Sequence, residues 1–431
     1  MADSTVSGPR AGALLRAYLI AVRGLEPFLS VHLRRRLRRG KEDPTRWREK
    51  LGEASFPRPD GDLIWLHAVG LGEVMALRGL INAIGQAQPD LSFLVTSSAR
   101  SSALAFAGNT PPRTQHQFLP LDAPGPVARF LDHWQPNLSI WAEQDLWPGL
   151  VVETHRRSIP LALINARMNA RAFASRARFR RLFSDLYGRF AHISAQDADT
   201  AQHLQALGAK DVSVAGSIKA GAGPLADHPE KRVALGAALE GRKLWCAASS
   251  HAADESVAIA AQRTLYAKDP TWLLIIAPRD PARQPDIEAA CTAAGLSVTV
   301  RSAGARPAVG DAVYLADTFG EMGLWYRSCP VALIGGAFGD TDGHNPWEAA
   351  HLDCAVLHGP NVANFAADYA ALHGVAGARL VSDDLALAIA VEDPKLSDQA
   401  KRAKFLADQS MAGMDRLCTT LLALIPDGTH G

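Results

Sequence analysis

The sequence predicts an α/β protein with two Rossmann-like domains, each built on a parallel sheet. From residue 61 onward, short apolar β-branched runs alternate with helical stretches, the pattern of strands that are buried on both faces. A Gly/Ala/Pro-rich stretch at residues 216–224 divides the pattern into two series and is predicted to be a linker. The length of 431 residues also fits two domains better than one.

The elements of each series follow in order along the chain. Predicted strands fall at residues 63–69, 91–98, 138–143, 160–166 and 191–195, and then at 243–248, 271–277, 296–301, 312–316, 331–336 and 354–358. The sequence predicts a basic amino-terminal segment at residues 1–43, followed by two domains at residues 44–215 and 216–431. In such folds ligands bind beyond the carboxyl ends of the strands, so we expect functional residues there, facing an interdomain cleft.

Composition excludes several classes of protein. The formal net charge is +1, which argues against nucleic-acid binding, since that needs a broad excess of Lys and Arg. The five cysteines are odd in number and widely spaced, without a CxxC pair or Cys/His spacing suited to zinc. We therefore expect reduced, buried thiols and no metal site.

The amino terminus is predicted to form an amphipathic helix at residues 10–33. Arg16, Arg23 and Glu26 interrupt the apolar run and Pro27 breaks it, which fits neither a signal peptide nor a spanning helix. On a helical wheel one face collects Leu14, Leu15, Tyr18, Leu19, Val22 and Leu25. A dense basic run follows, made of Arg34, Arg35, Arg36, Arg38, Arg39 and Lys41. The pattern predicts association with an anionic membrane surface, and a helix packed on the protein body is the alternative.

Two carboxylates follow predicted strands in the first series. Glu73 comes after a strand and the turn glycines Gly70 and Gly72, where it could take a proton from a hydroxyl group. It could equally complement the dipole of the next helix. Glu143, close to Asp145, could stabilise an oxocarbenium-like transition state, or could cap the helix that begins at Pro148.

Cationic residues in the second half suit a nucleotide phosphate. Lys219 lies in the linker, Arg279 follows a strand and His344 lies in a glycine-flanked loop. No Walker-type phosphate loop is present in the sequence. The segment 343–348 begins a helix with Glu348 in its first turn, where a carboxylate can accept hydrogen bonds from ribose hydroxyls. Residues 317–321 have the same strand-then-helix placement.

Together these segments resemble the 3-deoxy-D-manno-octulosonic acid (Kdo) transferase family from about residue 40 to 365. The matching segments are residues 40–42, 50–52, 67–73, 143–148, 165–167, Lys219, 250–251, 278–279, 317–321, 343–348, 359–360 and 364–365. Each motif alone is weak, but so many in order at family spacing make the resemblance specific.

The resemblance implies a GT-B fold and an inverting, metal-independent glycosyltransferase without a cofactor. Such an enzyme moves Kdo from CMP-Kdo to a lipid A precursor at the cytoplasmic face of the inner membrane, in lipopolysaccharide biosynthesis. It implies an acceptor-binding first domain and a second domain that binds the nucleotide sugar. Glu73 is then the general base, and Glu143 and Lys219 support the transition state. The expected CMP-binding residues are Ser250, His251, Pro278, Arg279, Phe319, Gly320, Glu321, His344, Asn345, Pro346, Trp347 and Glu348.

The chain departs from the family pattern at several positions. Gly70 and Ala337 stand where the family usually has Ser, and Asp280 stands where it has His, beside the expected phosphate-binding Arg279. These changes leave alternatives: a divergent paralogue with another CMP-ulosonate or acceptor, an epimerase or hydrolase acting on a soluble nucleotide sugar, or a non-catalytic protein that binds lipid or a partner.

Overall fold

The computed structural model describes residues 11–108, 110–143 and 146–426, without the side chains of Leu71 and Ala105. The described chain forms two compact units. The first contains residues 11–222 together with 412–426, and the second is Gly223–Met411. The division falls inside the Gly/Ala/Pro-rich stretch at 216–224.

The first unit contains one parallel sheet in the order β3-β2-β1-β4-β5-β6-β7. Its strands are β1 Leu63–His67, β2 Ser92–Ser97, β3 Thr114–Phe118, β4 Leu138–Ala142, β5 Leu161–Ala166, β6 His192–Ala195 and β7 Val212–Val214. The central strands β1, β2, β4 and β5 are buried along their whole length, because helices cover both faces of the sheet.

The second unit repeats the design with the order β10-β11-β9-β8-β12-β13-β14, again parallel. Its strands are β8 Lys243–Ser250, β9 Trp272–Pro278, β10 Val298–Val300, β11 Val313–Leu315, β12 Val331–Ile334, β13 Ala355–His358 and β14 Ala378–Leu380. In each sheet the strand order reverses beside the first strand of the series. The carboxyl ends flanking this switch point therefore form the expected ligand edge.

Every pair of consecutive strands except β10 and β11 is connected by at least one of the α-helices. In the first unit they are α1 Ala13–Leu25, α2 Leu29–Arg38, α3 Leu71–Ala87, α4 Arg100–Ala107, α5 Pro124–Trp134, α6 Pro148–Arg156, α7 Ala170–Ala177, α8 Arg180–Tyr187 and α9 Ala198–Ala206. The remaining α-helices are α10 Pro229–Leu239, α11 Ala252–Lys268, α12 Gln284–Ala293, α13 Met322–Ser328, α14 Trp347–Ala350, α15 Ala366–Gly374, α16 Asp384–Val391 and α17 Leu396–Leu422. Short 3₁₀ turns lie at Glu26–Phe28, Trp47–Leu51, Ala220–Ala222, Pro281–Arg283 and Ala363–Phe365.

The last helix, α17, changes the domain assignment expected from sequence. Its first part belongs to the second unit, whereas residues 412–426 belong to the first. Met414, Leu417 and Leu421 are buried in the core that lies between β1 and α3. The predicted domain of 216–431 therefore loses its last residues to the first unit, because the apolar side chains near the end of α17 complete the core of that unit.

Helix α1 packs on the first unit through only part of its predicted apolar face. Leu15 is fully buried in the core beside β1 and α6, and the Tyr18 hydroxyl donates to Asp122 at 2.7 Å. Leu14 and Leu25, which the wheel placed on the same face, are 50% and 59% exposed. The protein therefore covers only part of the predicted apolar face, and the rest of that face is exposed.

The basic run after α1 is not uniformly available at the surface. Arg36 and Lys50 both pair with the buried carboxylate of Glu42, at 2.5 and 2.6 Å. The other cations of the run are exposed: Arg34, Arg35, Arg38, Arg39 and Lys41. Within the part of the chain that the structure describes, no helix is both long and apolar enough to cross a bilayer.

Candidate active site

Glu73 lies in the first turn of α3, immediately beyond the carboxyl end of β1. Its Oε2 accepts hydrogen bonds from the Gly70 and Val69 amides at 3.0 and 3.2 Å, and the side chain is half-buried. A Cβ on Gly70 would lie 3.0 Å from Glu73 Oε1, so the glycine leaves room for the folded-back carboxylate. The capping interaction left open by the sequence is present, and the carboxylate still reaches solvent.

Lys219 lies next to the start of the same helix. Its ammonium is 3.7 Å from the position that a Cβ on Gly72 would occupy. The residue follows β7 and belongs to the first unit, although the sequence placed it in a linker. A cation and the proposed basic carboxylate therefore share one edge of one sheet.

Glu143 follows β4 and lies beside the end of β5. Its backbone adopts φ 64°, and its Oε1 accepts a 3.3 Å hydrogen bond from Asn165 Nδ2. The other end of the Asn165 amide, Oδ1, accepts from the Ile218 backbone N–H at 3.1 Å. Asn165 therefore connects Glu143 with the segment that carries Lys219. Gln144 and Asp145 lie outside the described residues.

Sequence reasoning missed Asn165 as a site residue. The available signal was its place in the matched segment 165–167, directly at the end of a predicted strand. Its role depends on contacts with positions 143 and 218, which a pattern along one strand does not contain.

In the second unit, His251 and His344 form a contact pair. Their Nε2 atoms are 2.9 Å apart and the rings are stacked. Burial lowers the pKa of His344 to about 4, and the charges of His251 and Arg279 act in the same direction. His344 is therefore neutral at physiological pH and can offer either a hydrogen-bond donor or an acceptor.

Asp254 is a second residue whose role the sequence did not predict. Its buried carboxylate accepts hydrogen bonds from the backbone amides of His251, Gly336, Ala337 and Phe338, at 2.7–3.1 Å. Gly335 allows this turn to approach the neighbouring strand β8, since a Cβ there would lie 2.4 Å from the Ser249 carbonyl oxygen. The amide-rich turn is therefore filled by a protein carboxylate, and a ligand phosphate needs another partner.

Arg279 is exposed beyond the end of β9, where its guanidinium can pair with a ligand phosphate. Its backbone N–H donates to the Ser250 carbonyl at 2.9 Å, which fixes its position against β8. The neighbouring Asp280 caps its own 3₁₀ turn, accepting from the Ala282 amide at 3.0 Å. The acid beside Arg279 is thus directed at the backbone. Pro278 is half-buried at the strand end.

Ser250 is less accessible than a ligand-binding residue would be. It is fully buried, and its hydroxyl donates to Glu255 at 3.3 Å. Glu255 is in turn held by Arg283 at 2.7 Å. The Ser250 hydroxyl therefore makes its hydrogen bond inside the second unit and is not presented to solvent.

The segment 343–348 forms the start of α14. Asn345 Oδ1 caps the Trp347 amide at 3.1 Å, and Pro346 is the N-cap residue. Burial raises the pKa of Glu348, and this effect is opposed by the charge of Arg279 and a hydrogen bond from Asn345. The charge of Arg279 favours a lower pKa at both His344 and Glu348. Trp347 is buried and donates to Asp368 at 2.8 Å, so it belongs to the core.

Of residues 319–321, Phe319 is exposed, whereas Gly320 and Glu321 make hydrogen bonds within the protein. Phe319 is 78% exposed, and the Gly320 carbonyl accepts from His228 Nε2 at 2.9 Å. Glu321 is buried and is held by Arg301, by Lys231 at 2.7 Å and by Thr318. Its carboxylate is therefore already hydrogen-bonded by three side chains of the second unit.

This ion pair predicts an acid-sensitive contribution to stability. Burial alone would raise the pKa of Glu321, but the donors Arg301, Lys231 and Thr318 outweigh it and lower the pKa to about 2. A folded-state pKa below the unfolded value stabilises the protein above the unfolded value, and this stabilisation is lost as pH falls toward 2. We expect Glu321→Gln to reduce the free energy of unfolding by about 3 kcal/mol at pH 7 and by much less at pH 3.

Urea unfolding followed by tryptophan fluorescence at both pH values measures this difference. Glu230→Gln, an exposed first-turn carboxylate in the same unit, is the matched control. Equal unfolding curves for the two variants at pH 7 would contradict the stabilising role of Glu321.

Comparisons with known proteins identify relatives of this chain. Residues 45–222 match the family described as 3-deoxy-D-manno-octulosonic-acid transferase (kdotransferase). The chain is 34% identical over 359 residues to a probable mitochondrial 3-deoxy-D-manno-octulosonic acid transferase of Arabidopsis thaliana, covering 81% of this chain and 80% of that protein. It is 32% identical over 349 residues to the 3-deoxy-D-manno-octulosonic acid transferase of Rickettsia bellii, covering 81% and 83%.

A solved structure supports the fold. The UDP-GlcNAc 2-epimerase of Neisseria meningitidis, bound to UDP-GlcNAc, superimposes with a TM-score of 0.51 at 11% identity, over 84% of this chain and all of that chain. Two parallel α/β units with this likeness define a GT-B-like fold, and the matches above make the protein a glycosyltransferase. The chain belongs to the 3-deoxy-D-manno-octulosonic acid transferase family.

Proposed function

We propose that the protein transfers Kdo from CMP-Kdo to a lipid A precursor in lipopolysaccharide biosynthesis. One observation carries the proposal. In a member of this family, the half-buried side chain of Glu73 and the ammonium of Lys219 lie at the carboxyl edge of one sheet. Glu143 lies at the end of β4, the strand next to β1. A base, a cation and a second carboxylate are the groups that a sugar-transfer transition state requires.

Glu73 acts as the general base in this proposal. Its carboxylate takes the proton of the acceptor hydroxyl while that oxygen attacks the anomeric carbon of the sugar. The bond from the anomeric carbon to the phosphate oxygen breaks, and the electron pair leaves with CMP. Attack from the face opposite the leaving group inverts the anomeric configuration. Glu143 stabilises the positive charge that develops on the sugar ring, and Lys219 stabilises negative charge on the sugar carboxylate or leaving group.

The second unit binds the nucleotide. Arg279 is exposed and fixed by its backbone, so its guanidinium can pair with the phosphate of CMP. His344 is kept neutral by burial, and Glu348 is half-buried beside Asn345. His344 and Glu348 suit ribose hydroxyls and the cytosine ring, and the cations Arg279 and Lys219 supply the charge stabilisation that a metal supplies in other transferases.

The amino-terminal segment suits a lipid acceptor at a membrane surface. The segment exposes Ile20 and Phe28 at 72% and 66%, and the exposed cations of the basic run follow Phe28 along the chain. A groove of about 520 Å³ is lined by residues of α1, α5 and α6, among them the apolar Leu19, Val22 and Val152 and the cation Arg16. Apolar surface next to cations is the combination that binds an anionic bilayer.

This membrane contact is tested with three exposed arginines. We expect the triple substitution of Arg35, Arg38 and Arg39 by Gln to weaken binding to phosphatidylglycerol vesicles by roughly 1 kcal/mol per charge. Binding to phosphatidylcholine vesicles should change little. The control removes three exposed cations of the second unit, Lys268, Lys401 and Arg402, and vesicle co-sedimentation measures both. Equal weakening by the two sets would contradict a membrane role for the amino-terminal run.

The transfer is tested with CMP-Kdo and a tetraacyl lipid A precursor. We expect CMP release together with a lipid product whose mass has increased by one or more Kdo residues. Free Kdo without lipid product would favour a hydrolase acting on a soluble nucleotide sugar. Neither CMP release nor a new product would favour a non-catalytic protein, and either outcome overturns the proposal.

A further inference from the structure

We infer that Asn165 is a positioning residue that holds Glu143 and the Lys219 segment in their working arrangement. The inference rests on the catalytic roles proposed for Glu143 and Lys219. Asn165 itself is 1% exposed, so it acts through these neighbours and not through contact with substrate.

The backbone places Asn165 and Glu143 at one edge. Strands β4 and β5 are paired, with Ala142 opposite Ile164, so the residues that follow this pair are neighbours. Both have a positive φ, 64° for Glu143 just beyond β4 and 54° for Asn165, the last residue but one of β5. Such conformations are rare outside glycine, and two on adjacent strands mark a site where geometry is held against local strain. Asparagine tolerates this conformation better than most residues.

The side chain of Asn165 uses both ends of its amide. Nδ2 donates to Glu143 Oε1 at 3.3 Å, and Oδ1 accepts from the Ile218 N–H at 3.1 Å. The partners fix the orientation of the amide, because a carboxylate needs a donor and a backbone N–H needs an acceptor. Asp in this position could serve only one of the two partners, and Gly neither.

The surroundings make this bridge rigid. Gln196 Nε2 donates to the Asn165 carbonyl oxygen at 3.0 Å, which anchors the strained backbone from the β6 side. Ile218, whose amide the bridge holds, is 3% exposed in the core shared with α3. Movement of the bridge would therefore move Lys219, the next residue, relative to the start of α3.

The chain contains a matched control for the test. At the opposite end of the same sheet, Asn137 Oδ1 accepts from the Leu63 N–H at 2.9 Å and its Nδ2 donates to Asp62 at 2.8 Å. Asn137→Asp therefore breaks the same kind of bridge, far from the proposed chemistry. Asn165→Asp keeps the acceptor for Ile218 but places a carboxylate against Glu143, and Asn165→Gly keeps the permitted backbone while removing both bonds.

We expect Asn165→Asp to lower kcat for Kdo transfer on the order of 100-fold with little change in KM for CMP-Kdo. Asn137→Asp should leave both constants near wild type. In a Glu143→Gln background the Asn165→Asp substitution should cost much less, because its partner charge is gone. Amide exchange at Ile218 should accelerate in Asn165→Gly but not in Asn165→Asp.

The outcomes separate this inference from the proposed function. If wild-type protein transfers Kdo and Asn165→Asp resembles Asn137→Asp in kcat, the positioning role is refuted while the function stands. Full additivity with Glu143→Gln would refute it as well. If the wild-type protein transfers no sugar, the proposed function fails, and this inference fails with it.

Discussion

Glu73→Gln should lower kcat for transfer to the lipid acceptor by about 10²–10⁴-fold, the contribution typical of a general base. The amide cannot take the proton of the attacking hydroxyl. Its oxygen can still accept from the Gly70 amide, which now bonds the carboxylate at 3.0 Å. The start of α3 should therefore remain folded, and the loss should appear in chemistry and not in stability.

Glu73 lies in the first turn of α3, so a control must separate a catalytic role from stabilisation of the helix end. Glu230 occupies the first turn of α10 in the second unit and is exposed. Glu230→Gln should show wild-type kcat, since it changes only a helix-end charge worth a few tenths of a kcal/mol. Wild-type turnover by the Glu73→Gln protein would show that this carboxylate only caps its helix.

Lys219→Met should lower kcat by about 10²–10³-fold, as expected when one preorganised charge is removed from a transition state. Met retains the length and the apolar stem of the side chain but not the ammonium, which lies 3.7 Å from the Cβ position of Gly72. KM for CMP-Kdo should rise less than kcat falls, because the charge matters most when negative charge develops on the departing group.

Lys210→Met provides the comparison, since Lys210 is an exposed lysine of the same unit. It should leave both kinetic constants unchanged. If Lys219→Met raised KM without changing kcat, the ammonium would bind the ground state only. Its proposed role in the transition state would then be wrong.

The central strands of both sheets could be predicted from the sequence, whereas three of the four edge strands could not. Runs such as 63–69 and 331–336 are apolar on both faces, and the structure confirms strands there. The strands that sequence reasoning missed are β3, β7 and β14, all at sheet edges. The polar β3 reads Thr-Gln-His-Gln-Phe, and the other two have three residues each. An edge strand has one neighbour and is less buried, so its sequence carries a weaker hydrophobic signal.

Site residues that directly follow a strand could be predicted from the sequence. Residues whose role depends on contacts with distant parts of the chain could not. Position alone located Glu73, Glu143 and Arg279 at strand ends. It could not separate Phe319, which is exposed, from Glu321, whose carboxylate is taken by Arg301 and Lys231. Such ion pairs join residues 20 and 90 positions apart. No local pattern contains that information.

The central claim is that the second unit binds CMP and the first unit supplies the catalytic base. A calorimetric titration with CMP tests this claim most directly. Glu73→Gln should bind CMP with nearly wild-type affinity, since this change lies in the first unit and removes no cation. Arg279→Ala, in the second unit, should weaken CMP binding by tenfold or more, as expected for loss of a charge-assisted contact of about 1.5–3 kcal/mol. Unchanged affinity in Arg279→Ala, or loss of CMP binding in Glu73→Gln, would contradict the account.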